Sequence, residues 1–351
     1  MLDERYKECG SPMKGGMSTV EKYLDRHLDR IVVLKTIDND DDKHRLYDEI
    51  VALMSLRSNH VVQIYDIVIG KDGLSGFIEE FIDGEDLINQ YSDTPEEIIK
   101  IIWQIAAGIR DIHSKDVIHR DIKPQNIKVD NEGIVKIFDF GLAKVNADSA
   151  STIGVKGTPL YSAPELMKGG HVPLTKAADV YSFAVTCAQL CGIDPFHFSA
   201  KNGTLSGIFN HQTIINDHKL INLFDECIHD IPENRPSIKM LEERLRQIIL
   251  RGKHRALLTY ETGTGVITKE LDSKNRGVNL RVKDIGEIKI EYTEYQFIVT
   301  SASGEIAVNN MDAHTGMEMP GSCVISIGSA QRPYNQRSHI TFDSSWPEVI
   351  V

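Results

Sequence analysis

The hydrophobic pattern changes period twice along this chain, and those two changes restrict the fold more than any other feature. Up to about residue 83, apolar residues come in short β-branched runs separated by turns. Ile31 to Ile37 (IVVLKTI), Val61 to Ile69 and Gly76 to Ile82 read as strands. One helical stretch interrupts them after the acidic loop Asp38 to Asp42, with Leu46, Ile50, Leu53 and Met54 at three- and four-residue steps. From Pro95 the period becomes helical. Thr94 can cap a helix that opens with Pro95 and carries Glu96 and Glu97 in its first turn. Ile98, Ile101, Ile102, Ile105 and Ile109 give that helix its apolar stripe, and Ala177 to Leu190, Ile214 to Ile228 and Ser237 to Leu250 follow as further helices. Near Arg251-Gly252 the helical pattern stops. Gly265 to Thr268, Glu287 to Tyr292, Gln296 to Thr300, Glu305 to Val308, Cys323 to Ile327 and His339 to Phe342 then read as strands of a sandwich or barrel. The expected class is α+β: a β-rich lobe over residues 1–83, a helical lobe over 84–250, and a small all-β, sandwich-like accessory domain over 255–351.

Composition narrows the partners. The 351 residues are 41% hydrophobic and 26% charged, enough to build a core, and the formal net charge of -12 argues against a nucleic-acid partner. Cys9, Cys187, Cys191, Cys227 and Cys323 have neither a disulfide framework nor zinc-ligand spacing. Cys187 and Cys191 read as two small buried residues on one helix face. The start MLDERYKECG has no basic stretch before an apolar run, and no apolar segment approaches the roughly 20 residues that span a bilayer. A cytoplasmic protein without membrane contact is expected.

The chemistry-bearing residues lie in the helical half. His119-Arg120-Asp121-Ile122-Lys123-Pro124-Gln125-Asn126 is followed by Asp139-Phe140-Gly141 and then Ala163-Pro164-Glu165. In order and spacing these segments resemble the catalytic loop, the metal-binding motif and the closing motif of the activation segment of serine/threonine protein kinases of bacterial type, over about residues 5 to 250. The resemblance implies a bilobal kinase fold that uses ATP with Mg²⁺, Mn²⁺ being an acceptable substitute. Phosphoryl transfer needs an oriented hydroxyl and neutralised phosphate oxygens. Asp121 would then be the catalytic base, Lys123 would reach the γ-phosphate, and Asn126 and Asp139 are oxygen ligands of the kind Mg²⁺ prefers. Lys35 aligns with the lysine that grips the α- and β-phosphates. Glu49 is its expected partner, with Asp48 and Glu21 as the competing anions.

The resemblance also outlines a nucleotide pocket from Met13, Gly15, Gly16, Val20, Val33, Lys35, Glu80, Ile82, Asp86 and Lys128. In the glycine-rich loop, Met13 and Ser18 replace the first and third glycines, which implies a weaker grip on phosphate; modification of Ser18 would put negative charge beside ATP. Glu79 stands where an apolar residue usually guards the back of the pocket. Glu80 and Ile82 would offer backbone hydrogen bonds to adenine, Asp86 would bind ribose, and Lys128 would form the floor. A buried Glu79 needs a partner, which Lys128 or Lys35 could supply.

Glu165 and Arg235 resemble a buried ion pair that pins the activation segment, and Asp179 resembles the helix aspartate that holds the backbone of His119 and Arg120. Arg120 would bind a phosphate on Ser149, Ser151 or Thr152, while Thr158 would bond Asp121 and Lys123 structurally. In the last domain, Gly304 to Asn310 and Val324 to Gly328 resemble the second half of forkhead-associated (FHA) domains, β-sandwiches that often bind phosphothreonine. The family's earlier G-R and S-R-x-H signatures are absent. The expected function is a serine/threonine protein kinase that phosphorylates its own activation loop and other proteins, its β domain serving regulation or docking of a phosphoprotein or other partner. The alternative, suggested by Met13, Ser18 and Glu79, is a pseudokinase scaffold that binds nucleotide and partners without efficient transfer.

Overall fold

The β-branched run around Ile31 to Ile37 becomes the middle of a six-stranded antiparallel sheet. The computed structural model describes residues 4–10, 12–14, 18–37, 43–70, 73–89, 94–145, 151–153, 158–167, 171–193, 218–262 and 265–344. In it β1 (Tyr6–Glu8), β2 (Met13–Lys14), β3 (Ser18–Asp25), β4 (Arg30–Ile37), β5 (Ile64–Gly70) and β6 (Gly73–Glu80) run in the order β1-β3-β4-β6-β5, with β2 paired to β3. Side chains alternate across the sheet. Val32, Leu34, Ile78 and Tyr6 form a small core on one face. The register sets Val20 and Phe77 opposite Lys35 and Glu79 opposite Val33, so these five share the other face. Helix α1 (Lys43–Ser55) packs on β5 and β6 and buries Leu46, Glu49, Ile50, Ala52 and Leu53. Met54, read from the sequence as part of that stripe, is instead 57% exposed. One step past Leu53, it is turned by about 100° away from the sheet.

Helix α2 (Pro95–Ser114) begins as its sequence dictates: the Thr94 hydroxyl accepts from the Glu97 N–H at 3.4 Å, and Ile98, Ile102, Ile105 and Ile109 are buried. After the short α3 (Pro164–Met167), helix α4 (Ala177–Leu190) is buried almost all round and packs against α2 and α5 (His218–Cys227); α6 (Ile238–Leu250) ends the helical part. The expected start of α5 at Ile214 lies outside the described residues, as does the loop Asp38 to Asp42. Cys187, Cys191 and Cys227 are buried, and burial pushes all three thiols up, as inert core residues require.

Short strands thread between the helices: β7 (Gly84–Asp86), β8 (Val117–Ile118), β9 (Ile127–Asp130), β10 (Val135–Ile137), β11 (Lys144–Val145), β12 (Ser151–Ile153) and β13 (His171–Pro173). They pair as β10-β9-β7, β11-β8 and β12-β13. Gly84 lets β7 lie against β9, because a Cβ there would stand 2.0 Å from the Val129 carbonyl oxygen.

The chain divides into two compact units, Met1–Leu245 and Arg246–Val351. The second holds β14 (Ala256–Thr262), β15 (Gly265–Leu271), β16 (Gly277–Val282), β17 (Gly286–Tyr292), β18 (Phe297–Gly304), β19 (Ile306–Val308), β20 (Met311–Asp312), β21 (Ser322–Ile327) and β22 (Ser338–Ser344). Six strands form one sheet in the order β15-β14-β22-β21-β19-β20, and β16-β17-β18 form another. Leu258, Ile325 and Phe342 from the first sheet and Ile288, Ile290 and Val299 from the second meet in one core, which makes the unit a sandwich rather than a barrel. Among the described residues no helix is long and apolar enough to cross a membrane.

Candidate active site

Three segments converge where the first sheet meets the helical part, and each is held by a buried acid. Behind them Asp179, fully buried on α4, accepts hydrogen bonds from the backbone N–H groups of His119 and Arg120, both at 2.8 Å, and contacts His113 Nε2 at 3.0 Å. Burial opposes ionisation of Asp179, but His113, His119 and these donors hold its carboxyl below the usual range. Arg120 needs this support because its φ is +69°, a left-handed conformation. Burial lowers the His119 imidazole, keeping it neutral. Its Nδ1 accepts from the Asp121 N–H at 3.3 Å, so Nε2 carries the proton and donates to the Phe138 carbonyl at 3.2 Å.

The loop then turns four donors onto one carboxylate. Asp121 Oδ2 accepts from Lys123 Nζ at 2.7 Å and Asn126 Nδ2 at 2.9 Å. Its Oδ1 accepts from the Thr158 N–H at 3.1 Å and the Thr158 hydroxyl at 3.0 Å. Lys123 Nζ also donates to Thr158 Oγ1 at 2.7 Å, which ties the 119–126 loop to the segment before Ala163-Pro164-Glu165. That segment is clamped by a bidentate pair: Arg235 Nη1 and Nη2 donate to Glu165 at 2.8 and 2.7 Å, both residues buried.

Across the cleft, Lys35 Nζ donates to Glu49 Oε1 at 2.7 Å and to Asp139 Oδ1 at 2.9 Å. Burial disfavours the ammonium, but Glu49, Asp139 and Glu79 outweigh it and hold Lys35 above the ordinary lysine value. Burial likewise works against Asp139, yet the Lys35 charge and hydrogen bond keep its carboxyl below the usual range. Glu49 Oε1 also accepts from the Phe140 N–H at 3.0 Å. Of the competing anions, Asp48 pairs with Lys144 at 2.5 Å, and Glu21 accepts from the Tyr23 hydroxyl at 3.4 Å. Asp139 has a φ of +63°, so this residue too is held in a left-handed conformation by its contacts.

The pocket residues distribute unevenly. Val20 and Val33 lie on the sheet face shared with Lys35, and Ile82 is buried. The Glu80 N–H donates to the Gln63 carbonyl at 2.8 Å, which leaves the Glu80 carbonyl as its only backbone group for a base. Met13 pairs with Val20 in β2, Ser18 opens β3, and Gly15 and Gly16 lie outside the described residues. Lys128 does not serve Glu79: its Nζ is 3.4 Å from Asp86, which sits opposite it in the β7–β9 register. Glu79 Oε2 is buried with no hydrogen-bond partner among the described residues. Burial, with the charges of Glu49 and Asp139 added and that of Lys35 opposing, pushes its carboxyl up to about 8. Arg120 is buried, and its Nε donates to the Leu142 carbonyl. Ser149 lies outside the described residues, while Ser151 and Thr152 sit in β12 opposite Pro173 and Val172. Sequence reasoning missed the pairs Lys144–Asp48 and Lys136–Glu80 and the stacking of Lys22 over the Phe81 ring at 4.2 Å. A lysine flanking a motif gives no local signal of its partner.

A buried lysine shared by two acids, facing a loop aspartate ringed by donors, defines a phosphotransfer fold, and sequence comparison agrees. The protein kinase domain profile matches residues 7–245, and the chain belongs to the protein kinase family. It is 35% identical over 209 residues to the serine/threonine-protein kinase PknL of Mycobacterium tuberculosis, covering 56% of this chain and 51% of that one. It is 37% identical over 198 residues to PknA of Corynebacterium glutamicum, covering 52% and 42%. A probable serine/threonine-protein kinase of Clostridium perfringens is 32% identical over 209 residues, covering 56% and 30%. The aligned part thus spans between about a third and a half of these relatives.

Proposed function

We propose that the chain is a serine/threonine protein kinase that transfers the ATP γ-phosphoryl group to protein hydroxyls. The observation that carries this reading is the Lys35 ammonium held at 2.7 and 2.9 Å between Glu49 and Asp139, opposite an Asp121 carboxylate ringed by Lys123, Asn126 and Thr158. The donor set fits a hard divalent cation. Asp139 offers carboxylate oxygens and Asn126 an amide oxygen, its Nδ2 being spent on Asp121. Bound Mg²⁺ would neutralise phosphate charge; Mn²⁺ offers similar chemistry. Lys35 would hold the α- and β-phosphates, with Glu49 keeping its ammonium aimed. Asp121 would orient the substrate hydroxyl and take its proton as the new oxygen–phosphorus bond forms and the bond to ADP breaks. Lys123, already against Asp121, would steady the transferring group. Val20, Val33, Ile82 and Lys128 would enclose the base, and Met13 with Gly15 and Gly16 would cover the phosphates. The lysine at position 123 and the serine/threonine kinases among the relatives support hydroxyl substrates of serine and threonine.

Autophosphorylation in the segment 144–158 and a docking or regulatory role for the second unit, including an FHA-like recognition of phosphoproteins, belong to the same proposal, as does a cytoplasmic setting. The unpartnered Glu79 Oε2 favours one second reading, a nucleotide-binding scaffold without efficient transfer. Incubation with labelled ATP and Mg²⁺ separates the two. Wild type should label itself or a generic protein substrate well above an Asp121→Ala control, and equal labelling would sink the kinase reading. Label mapped only outside 144–158 would sink the loop prediction.

A further inference from the structure

Glu80 begins the segment that would receive the base, and its side chain is unusually well tied. The carboxylate takes Lys136 Nζ at 2.8 Å on one oxygen and the Gln63 N–H at 3.1 Å on the other. The pair is largely sheltered, with side chains 12% and 19% exposed. Its backbone N–H is bound by the Gln63 carbonyl at 2.8 Å. Gln63 is itself fixed, because its side-chain amide donates to the carbonyls of Ser58 and Val61 at 3.0 and 2.9 Å. Lys136 lies in β10, and its neighbour Ile137 is bonded in both directions to the same turn: Val62 N–H to Ile137 O at 3.0 Å, Ile137 N–H to His60 O at 2.9 Å. The result is a closed circuit from the turn after α1, through Glu80, to the strand that ends two residues before Asp139.

The β10–β9–β7 register adds a second tie. Lys136 lies opposite Lys128, and Lys128 opposite Asp86, so the two lysines stand side by side on one face. Each takes one carboxylate, Glu80 or Asp86, from the two ends of the segment 80–86. Two adjacent ammonium groups repel unless each is matched. The match therefore fixes both ends of the strip that carries the Glu80 carbonyl and the Ile82 N–H.

We infer that Lys136 is a positioning residue for nucleotide binding: through the Glu80 carboxylate it holds the backbone of segment 80–86 at the angle the adenine edge requires, without touching the nucleotide. This rests on the kinase reading above. A sheltered carboxylate that loses its cation must find water, which rotates Glu80 and with it the neighbouring carbonyl. Misplacing one backbone hydrogen bond of this kind costs about tenfold in affinity. The phosphate end, held by Lys35 and Asp139, is separate from this tie.

Calorimetry on the full chain with two probes tests it. For Lys136→Met, the dissociation constant of Mg·ATP should rise about tenfold while that of Mg·tripolyphosphate, which has no base, stays within twofold of wild type. KM for ATP should rise with kcat nearly unchanged, and Lys136→Arg should restore most of the ATP affinity. Unchanged ATP binding in Lys136→Met overturns the inference. Equal weakening of both probes also overturns it, since that is what general loosening or misfolding would give. If wild type itself binds no ATP, the kinase reading falls and this inference falls with it.

Discussion

Glu79 is an acid where the back of a nucleotide pocket is usually apolar, and the cost of keeping it there can be measured. Its Oε2 is buried without a partner among the described residues, and burial with the charges of Glu49 and Asp139 carries the carboxyl to about 8 from an ordinary 4.5. The sign follows from proton linkage. An acid whose pKa is raised on folding binds more protons in the native state, so its contribution is fully present below pH 4.5 and is lost as pH rises through 8. Integrating over those two values gives a destabilisation of about 2 kcal/mol at pH 6 and about 4 kcal/mol at pH 8. Glu79→Leu removes the titrating group and leaves Glu49, Asp139 and Lys35 in place. Its packing effect is independent of pH, whereas the ionisation effect is not. The stability difference between Glu79→Leu and wild type should therefore move in favour of the variant by about 2 kcal/mol between pH 6 and pH 8. Denaturant titrations of both proteins at pH 6, 7 and 8 read this directly. Parallel pH profiles would refute the reasoning, because they would mean that Glu79 is already ionised at pH 6 and finds water or Lys35 at no cost.

Other elements give simpler expectations. Arg235→Ala leaves the buried Glu165 carboxylate alone and should cost about 3–5 kcal/mol in a denaturant titration. Gly84→Ala drives a Cβ against the Val129 carbonyl and should cost roughly 1–3 kcal/mol, with faster amide exchange in β7 and β9. Asp48→Ala should change stability by less than about 1 kcal/mol, since both partners of the Lys144–Asp48 pair are more than a third exposed.

What could be read from the sequence was whatever a local pattern encodes. The Thr94 cap, the isoleucine stripe of α2 and the alternation that builds β4 need only near neighbours, and so did the ordered polar motifs of the cleft. Partners across the fold were harder. Glu79 needed a cation, and the two candidate lysines are committed elsewhere, Lys35 to Glu49 and Asp139 and Lys128 to Asp86. Asp86 outcompetes Glu79 for Lys128 because strand pairing sets it directly opposite, and that register depends on Gly84 approaching Val129, a contact no period announces. Strand β16 was missed for a related reason: Asn279 and Arg281 occupy its outward positions, while Val278 and Leu280, with half-buried Val282 beside them, face the core.

The two left-handed residues of the cleft explain why its geometry is a property of the whole fold. Arg120 and Asp139 have φ values of +69° and +63°, conformations that cost about 1 kcal/mol or more outside glycine. Neither is favoured locally, so each must be imposed. Asp179 imposes the first through two backbone hydrogen bonds from the far side of the loop, and Lys35 takes hold of the Asp139 side chain from the opposite sheet. Asp179 also contacts His113 of α2, and Lys35 also holds Glu49 of α1. Each strained residue is thus secured by a group that is itself anchored to a helix. Movement of α1 would release Lys35 and relax Asp139, while Asp121, secured through α4, kept its place. On this arrangement the Asp139 side of the cleft can be switched while the loop that carries Asp121 and Asn126 stays in place.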